Sequence, residues 1–219
     1  MLKDKDASYV AKVHYQDTDI AQQYDTKRFE NWHGRISNFV EARSLGDIVD
    51  QYFESEGTVL DIPCGTGRLL PVILSRGFCV TGGDISEEML RVARYRLSTN
   101  PLSSFKLVDA ENLPFSDNYF DYLTSFRLMC HLPSYVRKAV LSEMLRVASK
   151  IIVVNYHFDS LSPLAVFNRI FRRNCCSVYP LREQDLRREL KEMGVEVLEV
   201  RRLSFYERSS ALVVIRKTI

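Results

Sequence analysis

From about residue 57 onward the chain predicts an α/β domain: a mostly parallel, doubly wound sheet with helices between its strands. Three observations predict it. Short apolar runs alternate with amphipathic helical stretches, the pattern of crossover units. A glycine-rich turn joins the first apolar run to the helix after it. A short polar link separates the last two runs, which favours an antiparallel hairpin over another crossover.

The elements follow in order. Residues 1–56 read as helical and aromatic-rich, with Tyr15, Tyr24, Phe29, Trp32, Phe39, Tyr52 and Phe53, and as a cap integral to the domain. Within them Ile36, Phe39, Val40, Leu45, Ile48, Val49 and Tyr52 recur at helical spacing. Residues 57–219 form the ligand-binding core. Its parallel strands are expected at 58–62, 78–84, 104–109, 119–126 and 150–156, with helices at 67–76, 86–98 and 134–147. Ser86 followed by Glu87 and Glu88 is a helix start, a hydroxyl cap with acids at the positive end of the dipole. Residues 163–173 are amphipathic, and a helix at 182–193 stops at Gly194. Strands at 195–203 and 211–216 then form the hairpin. Five parallel strands with a terminal hairpin is not the six-stranded parallel plan of a dinucleotide dehydrogenase.

Composition narrows the classes. A chain of 219 residues, 46% hydrophobic and 26% charged, is ordinary for one globular domain. A net charge of +2 carries no strong nucleic-acid signal. Charge does gather locally, because Arg169, Arg172, Arg173, Arg182, Arg187 and Arg188 outnumber Glu183 and Asp185 over one stretch. Five cysteines form no C-x-x-C pair, which argues against a disulfide framework or zinc site and fits a reducing cytoplasm; no metal site is expected. The charged start is not a secretory signal, and no apolar run approaches the ~20 residues of a membrane span.

Three motifs carry chemistry. In Asp61-Ile62-Pro63-Cys64-Gly65-Thr66-Gly67 an apolar strand enters a turn whose glycines admit a ligand to the backbone, and a helix follows. No Gly-Lys-Ser/Thr follows, which excludes the phosphate loop of ATPases. Asp84, in Gly82-Gly83-Asp84-Ile85-Ser86, ends the second strand about twenty residues beyond the turn, where an acid accepts both hydroxyls of a ribose. Asp109, in Asp109-Ala110-Glu111-Asn112-Leu113-Pro114-Phe115, ends the third strand, where a carboxylate can accept from an adenine amine. Phe120-Asp121 then opens a buried strand that ends at Phe126 and Arg127, on the sheet edge where open α/β folds bind ligands.

Together these motifs resemble the class I S-adenosylmethionine-dependent methyltransferases, and most closely the small-molecule branch that includes the ubiquinone and menaquinone biosynthesis C-methyltransferases. The resemblance covers about residues 20–156 by motif and the terminal hairpin by plan. It implies a seven-stranded sheet whose last strand is antiparallel. It also implies that S-adenosyl-L-methionine is bound, that S-adenosyl-L-homocysteine is the product, and that the acceptor is a small molecule. Gly65 and Gly67 would lie under the methionine and ribose, with Asp61 at the base of the turn. Asp84 would hold the ribose, Ile85 would pack on adenine, and Asp109 and Ala110 would bind the adenine edge. Phe126 and Arg127 would flank the sulfonium. Two departures stand out: Pro63 replaces the family's usual glycine, and the usual Pro-Gly-Gly turn before the fifth strand is missing.

Methyl transfer needs alignment more than acid–base chemistry, and a base only where the nucleophile loses a proton. His131 and His157 follow the fourth and fifth strands and are the candidates, although proximity alone does not make a base and a structural or solvated histidine is the commoner reading of each. Arg28 or Arg35, in the helical cap, is placed to pair with the methionine carboxylate. The stretch 163–173 reads as a lid within 160–180 that meets an anionic substrate through Arg169, Arg172 or Arg173. The alternative is a basic helix lying on an anionic membrane. Other function classes left open are a methyltransferase for tRNA or protein, and a cofactor-binding protein without turnover.

Overall fold

In the computed structural model of the chain, residues 32–54, 56–158, 179, 181–203 and 210–217 are described. Helix α1 (Trp32–Tyr52) precedes strand β1 (Thr58–Asp61), helix α2 (Leu70–Leu74) and strand β2 (Cys79–Asp84). Helix α3 (Glu87–Arg96) leads to β3 (Ser103–Leu107) and β4 (Phe120–Ser125). A 3-10 turn (Met129–His131) and helix α4 (Ser134–Val147) precede β5 (Ala148–His157). Helix α5 (Glu183–Glu192) and strands β6 (Val195–Arg202) and β7 (Ser210–Lys217) follow.

The seven strands form one sheet in the order β3-β2-β1-β4-β5-β7-β6. All neighbours from β3 to β5 pair in parallel, while β7 runs antiparallel to both β5 and β6. The central strands β1, β4, β5 and β7 are largely apolar on both faces because both faces are covered. Leu60, Leu123, Ile152 and Val213 point into a core shared with Val140, Met144 and Leu190 of α4 and α5. The alternating residues Val59, Tyr122, Val153 and Val214 point into a second core shared with Leu45, Ile48 and Leu70 of α1 and α2.

Several expected boundaries shift for local reasons. The helix expected from residue 67 begins at Leu70, because Gly67 sits at φ 71°, outside the right-handed helical region. The third strand ends at Leu107, after which Asp109 turns back in a bridge to Asn112. The missing Pro-Gly-Gly turn leaves no loop, since β5 starts at Ala148, directly after α4. Ser86 caps α3 as expected, its Oγ accepting from Met89 N at 3.3 Å. The helical spacing from Ile36 to Tyr52 is met by α1, in which Leu45, Ile48 and Val49 are buried while Ile36 and Phe39 are 44% and 63% exposed. The stretch 163–173 expected as a lid and the adjacent Cys175 and Cys176 lie outside the described residues, as does Arg28.

Candidate active site

At the carboxyl ends of β1, β2 and β4 the chain leaves the sheet, and a pocket opens between these exits. The first exit is the turn after Asp61. Ile62 N donates to Thr124 O at 2.9 Å and Cys64 N to Gly83 O at 2.8 Å, so the turn is hung between both neighbouring strands. Gly65 then adopts φ 54°, and a Cβ placed there would meet nothing within 4 Å. The backbone therefore lies bare toward the pocket, and the left-handed conformation requires glycine.

Asp84 stands beneath this turn. Its Oδ2 accepts from Gly65 N at 2.8 Å and its Oδ1 from Ser86 N at 3.0 Å. Burial pushes its pKa up to about 6 against the pull of the N–H groups of Ser86, Gly65 and Ile85. Asp61 is buried too, and its pKa is pushed up to about 7 by desolvation; the hydrogen bond from Thr124 Oγ1 at 2.6 Å and the charge of Arg68 oppose the rise. Burial likewise pushes the Cys64 thiol up, so it is not a ready nucleophile. Asp109 lines the pocket and accepts from Glu111 N at 3.0 Å, which ties its carboxyl to the turn that carries Ala110.

These walls suit an adenosine bearing positive charge. Two buried acids and a third at the rim face a backbone bare of side chains, and Ile85, Met89 and Val108 supply apolar surface. Phe126, Leu128 and His131 close the side nearest β4.

Residues 59–150 match the family described as a methyltransferase domain. These residues, fewer than half of the chain, are thus similar to a methyltransferase domain. The chain is 35% identical over 123 residues to a phosphatidylethanolamine N-methyltransferase of Cereibacter sphaeroides, covering 53% of this chain and 59% of that protein. It is 33% identical over 141 residues to a demethylmenaquinone methyltransferase of Symbiobacterium thermophilum, covering 58% and 51%. The chain thus spans little more than half the length of these curated relatives. A magnesium protoporphyrin IX methyltransferase from Synechocystis PCC 6803, crystallised with bound S-adenosylhomocysteine, has the same fold at a TM-score of 0.78. Its sequence is 18% identical, with 95% of this chain and 99% of that one covered.

Of the residues singled out in the sequence, the pocket gathers Asp61, Gly65, Asp84, Ile85, Asp109, Ala110, Phe126, Arg127 and His131. Three expected residues lie elsewhere. Gly67 faces α3, where an added Cβ would come within 3.1 Å of the Ala93 Cβ, so it serves packing of the turn. Arg35 is exposed on α1 and does not line the pocket. His157 ends β5 away from the pocket wall, its carbonyl accepting from Leu181 N at 3.2 Å. Two residues escaped the sequence reading. Arg68 lines the pocket, and Glu41 of α1, buried behind it, accepts from Arg68 Nη2 at 2.7 Å and from Arg127 Nη2. No motif marks either one.

Proposed function

We propose that this chain transfers a methyl group from S-adenosyl-L-methionine to a small-molecule acceptor, releasing S-adenosyl-L-homocysteine, in the cytoplasm. The observation that carries the reading is the convergence of Asp84, the bare turn at Gly65 and the Asp109–Ala110 turn on one pocket at the carboxyl edge of the sheet. When bound, the cofactor supplies an activated methyl on a cationic sulfur. The chain's own residues then hold and shield. Asp84 accepts from a ribose, Asp109 faces the base, and Asp61 adds negative charge near a positive centre. Phe126 and Leu128 keep water from the reacting side. His131 shares that side and takes the proton where an acceptor must lose one.

A small acceptor is supported by the names of the two relatives, which act on phosphatidylethanolamine and demethylmenaquinone. The cytoplasmic part rests on five cysteines, an odd count, that form no C-x-x-C motif; in addition, no helix among the described residues is long and apolar enough to cross a membrane. The test is incubation with methyl-labelled cofactor and metabolite fractions, followed by mass spectrometry of labelled products. The expected result is label in a low-molecular-weight product, lost in Asp84→Ala. Label confined to RNA or protein, or none in any pool, would overturn the reading.

A further inference from the structure

The connection from β3 to β4 does without a helix. Residues 108–119 carry the chain from the edge of the sheet past β2 and β1, and none of them is helical. A helix bonds its own backbone, so an irregular crossover must find partners elsewhere. Leu113 finds one for each of its backbone groups on α4. Its N–H donates to Glu143 Oε2 at 2.8 Å, and its carbonyl accepts from Arg146 Nη2 at 2.8 Å. Arg146 Nη1 also donates to Phe115 O at 2.7 Å and to Asp117 Oδ1 at 3.0 Å. The same guanidinium is forked onto Glu143, Nε to Oε1 and Nη2 to Oε2, each at 2.8 Å. That bond holds the Glu143 carboxyl below the usual carboxylate range, so it accepts as an anion.

Just upstream of this clamp is the turn whose Asp109 and Ala110 line the pocket. The start of the turn is fixed, because Val108 N donates to Asp84 O at 2.9 Å. The turn then closes on itself: Asn112 N donates to Asp109 O at 3.1 Å, and Glu111 N to Asp109 Oδ1 at 3.0 Å. Residues 109–112 therefore form a short arch with one foot on β2 and the other on the Glu143–Arg146 pair. The Leu113 side chain is buried, but apolar burial is non-directional and sets depth alone. Opposed hydrogen bonds to the N–H and the carbonyl of one residue also set its rotation. Turning that foot turns the arch, and with it the Asp109 carboxylate.

Resting on the methyl-donor reading above, in which Asp109 faces the base, we infer that Glu143 and Arg146 are positioning residues that aim the Asp109 carboxylate at the exocyclic amine of that base. The pair is needed because Leu113 presents a donor and an acceptor: the acid takes the N–H, and the guanidinium serves the carbonyl. Lysine at position 146 would keep the charge but lose the planar fork that reaches two carbonyls and a carboxylate at once. Neither residue lines the pocket, so any effect on a ligand passes through the loop. A role confined to stability would weaken every ligand alike. An aiming role touches only a ligand that the carboxylate reads.

That difference decides the experiment. Calorimetry on wild type and Arg146→Lys should compare S-adenosyl-L-homocysteine with its inosine counterpart, in which a carbonyl oxygen replaces the amine. The wild type should prefer the adenine form, and Arg146→Lys should cut that preference by about tenfold, the worth of one charge-assisted hydrogen bond. Affinity for the inosine counterpart should change by less than about twofold. In an Asp109→Ala background the preference should already be gone, and Arg146→Lys should not alter it further. Should Arg146→Lys fail to fold, Glu143→Gln keeps an acceptor for Leu113 N, breaks the ion pair and carries the same comparison. Equal losses for both ligands would overturn the aiming role, as would an unchanged preference in the folded variant. A wild type that binds both alike would remove Asp109 as the reader of the amine, and this inference with it, while leaving the methyl-donor reading intact; one that binds neither would remove that reading.

Discussion

Asp61 and Asp84 give the pocket a charge that changes near neutral pH. With pKa values raised to about 7 and about 6, both acids hold protons in the folded protein that the unfolded chain releases near pH 4. Between that point and about pH 7 the folded state binds more protons, so the stability of the ligand-free protein falls as pH rises. A cationic ligand makes the opposite demand, since it favours both acids ionised. Its affinity therefore climbs over the same interval. Asp121 and Glu143, held below the usual carboxylate range, act at lower pH and do not mask the effect. We expect the Tm of the free protein to drop between about pH 5 and 7 while the stabilisation by S-adenosyl-L-methionine grows; Asp84→Asn should flatten the drop. A Tm that rises over this interval in the free wild type would show the acids are ionised throughout. The two glycines of the turn separate by a similar test. Gly65→Ala should cost about 1 kcal/mol for its backbone angle alone, while ligand binding suffers because the Cβ enters the pocket. Gly67→Ala should cost more stability, because Ala93 stands in the way, and urea unfolding of both variants measures the order.

At the scale of elements, the parts written locally were the readable ones. Strand β5 is a run of Ile151, Ile152, Val153 and Val154 between a helix and a histidine, and apolar runs of that length need no partner to be recognised. Helix α3 announces its start with Ser86, and Ser86→Ala should destabilise the protein by about 1 kcal/mol in denaturant titration, with the slope unchanged. Asp84 and Asp109 were legible because Asp84 ends a strand and Asp109 follows one by two residues, and strand exits at this edge meet in one place. Glu41 was not, because a glutamate inside a helix normally faces water and its burial depends on two arginines far along the chain. The exposure of Ile36 and Phe39 was not legible either: periodicity marks an apolar face, but only the sheet decides how much of a helix it covers. Gly67 and Gly65 share one motif, and only the position of Ala93 tells which of them lines the pocket.

Across the whole molecule, α1 links the pocket to the far side of the sheet. Its N-terminal half grips Arg68 and Arg127, while Ser44 O accepts from Arg201 Nη1 at 3.3 Å and Tyr52 Oη donates to Glu199 at 3.1 Å, both on β6. Phe53, just beyond it, stacks on Tyr122 of β4 with ring centroids 4.0 Å apart. The position of β7 has a further effect, on synthesis. This strand lies between β5 and β6, with Ser210–Ile215 buried, yet it is made after both. A nascent chain that has reached Leu203 has already produced the apolar edge of β5 with nothing to pair it. Such an edge recruits other strands, so the interval before β7 leaves the ribosome is the one in which a chaperone is needed. A variant ending at Leu203 should accordingly aggregate on expression although it retains every pocket residue named above. If it stayed monomeric and bound cofactor, the hairpin would prove dispensable for closing the sheet.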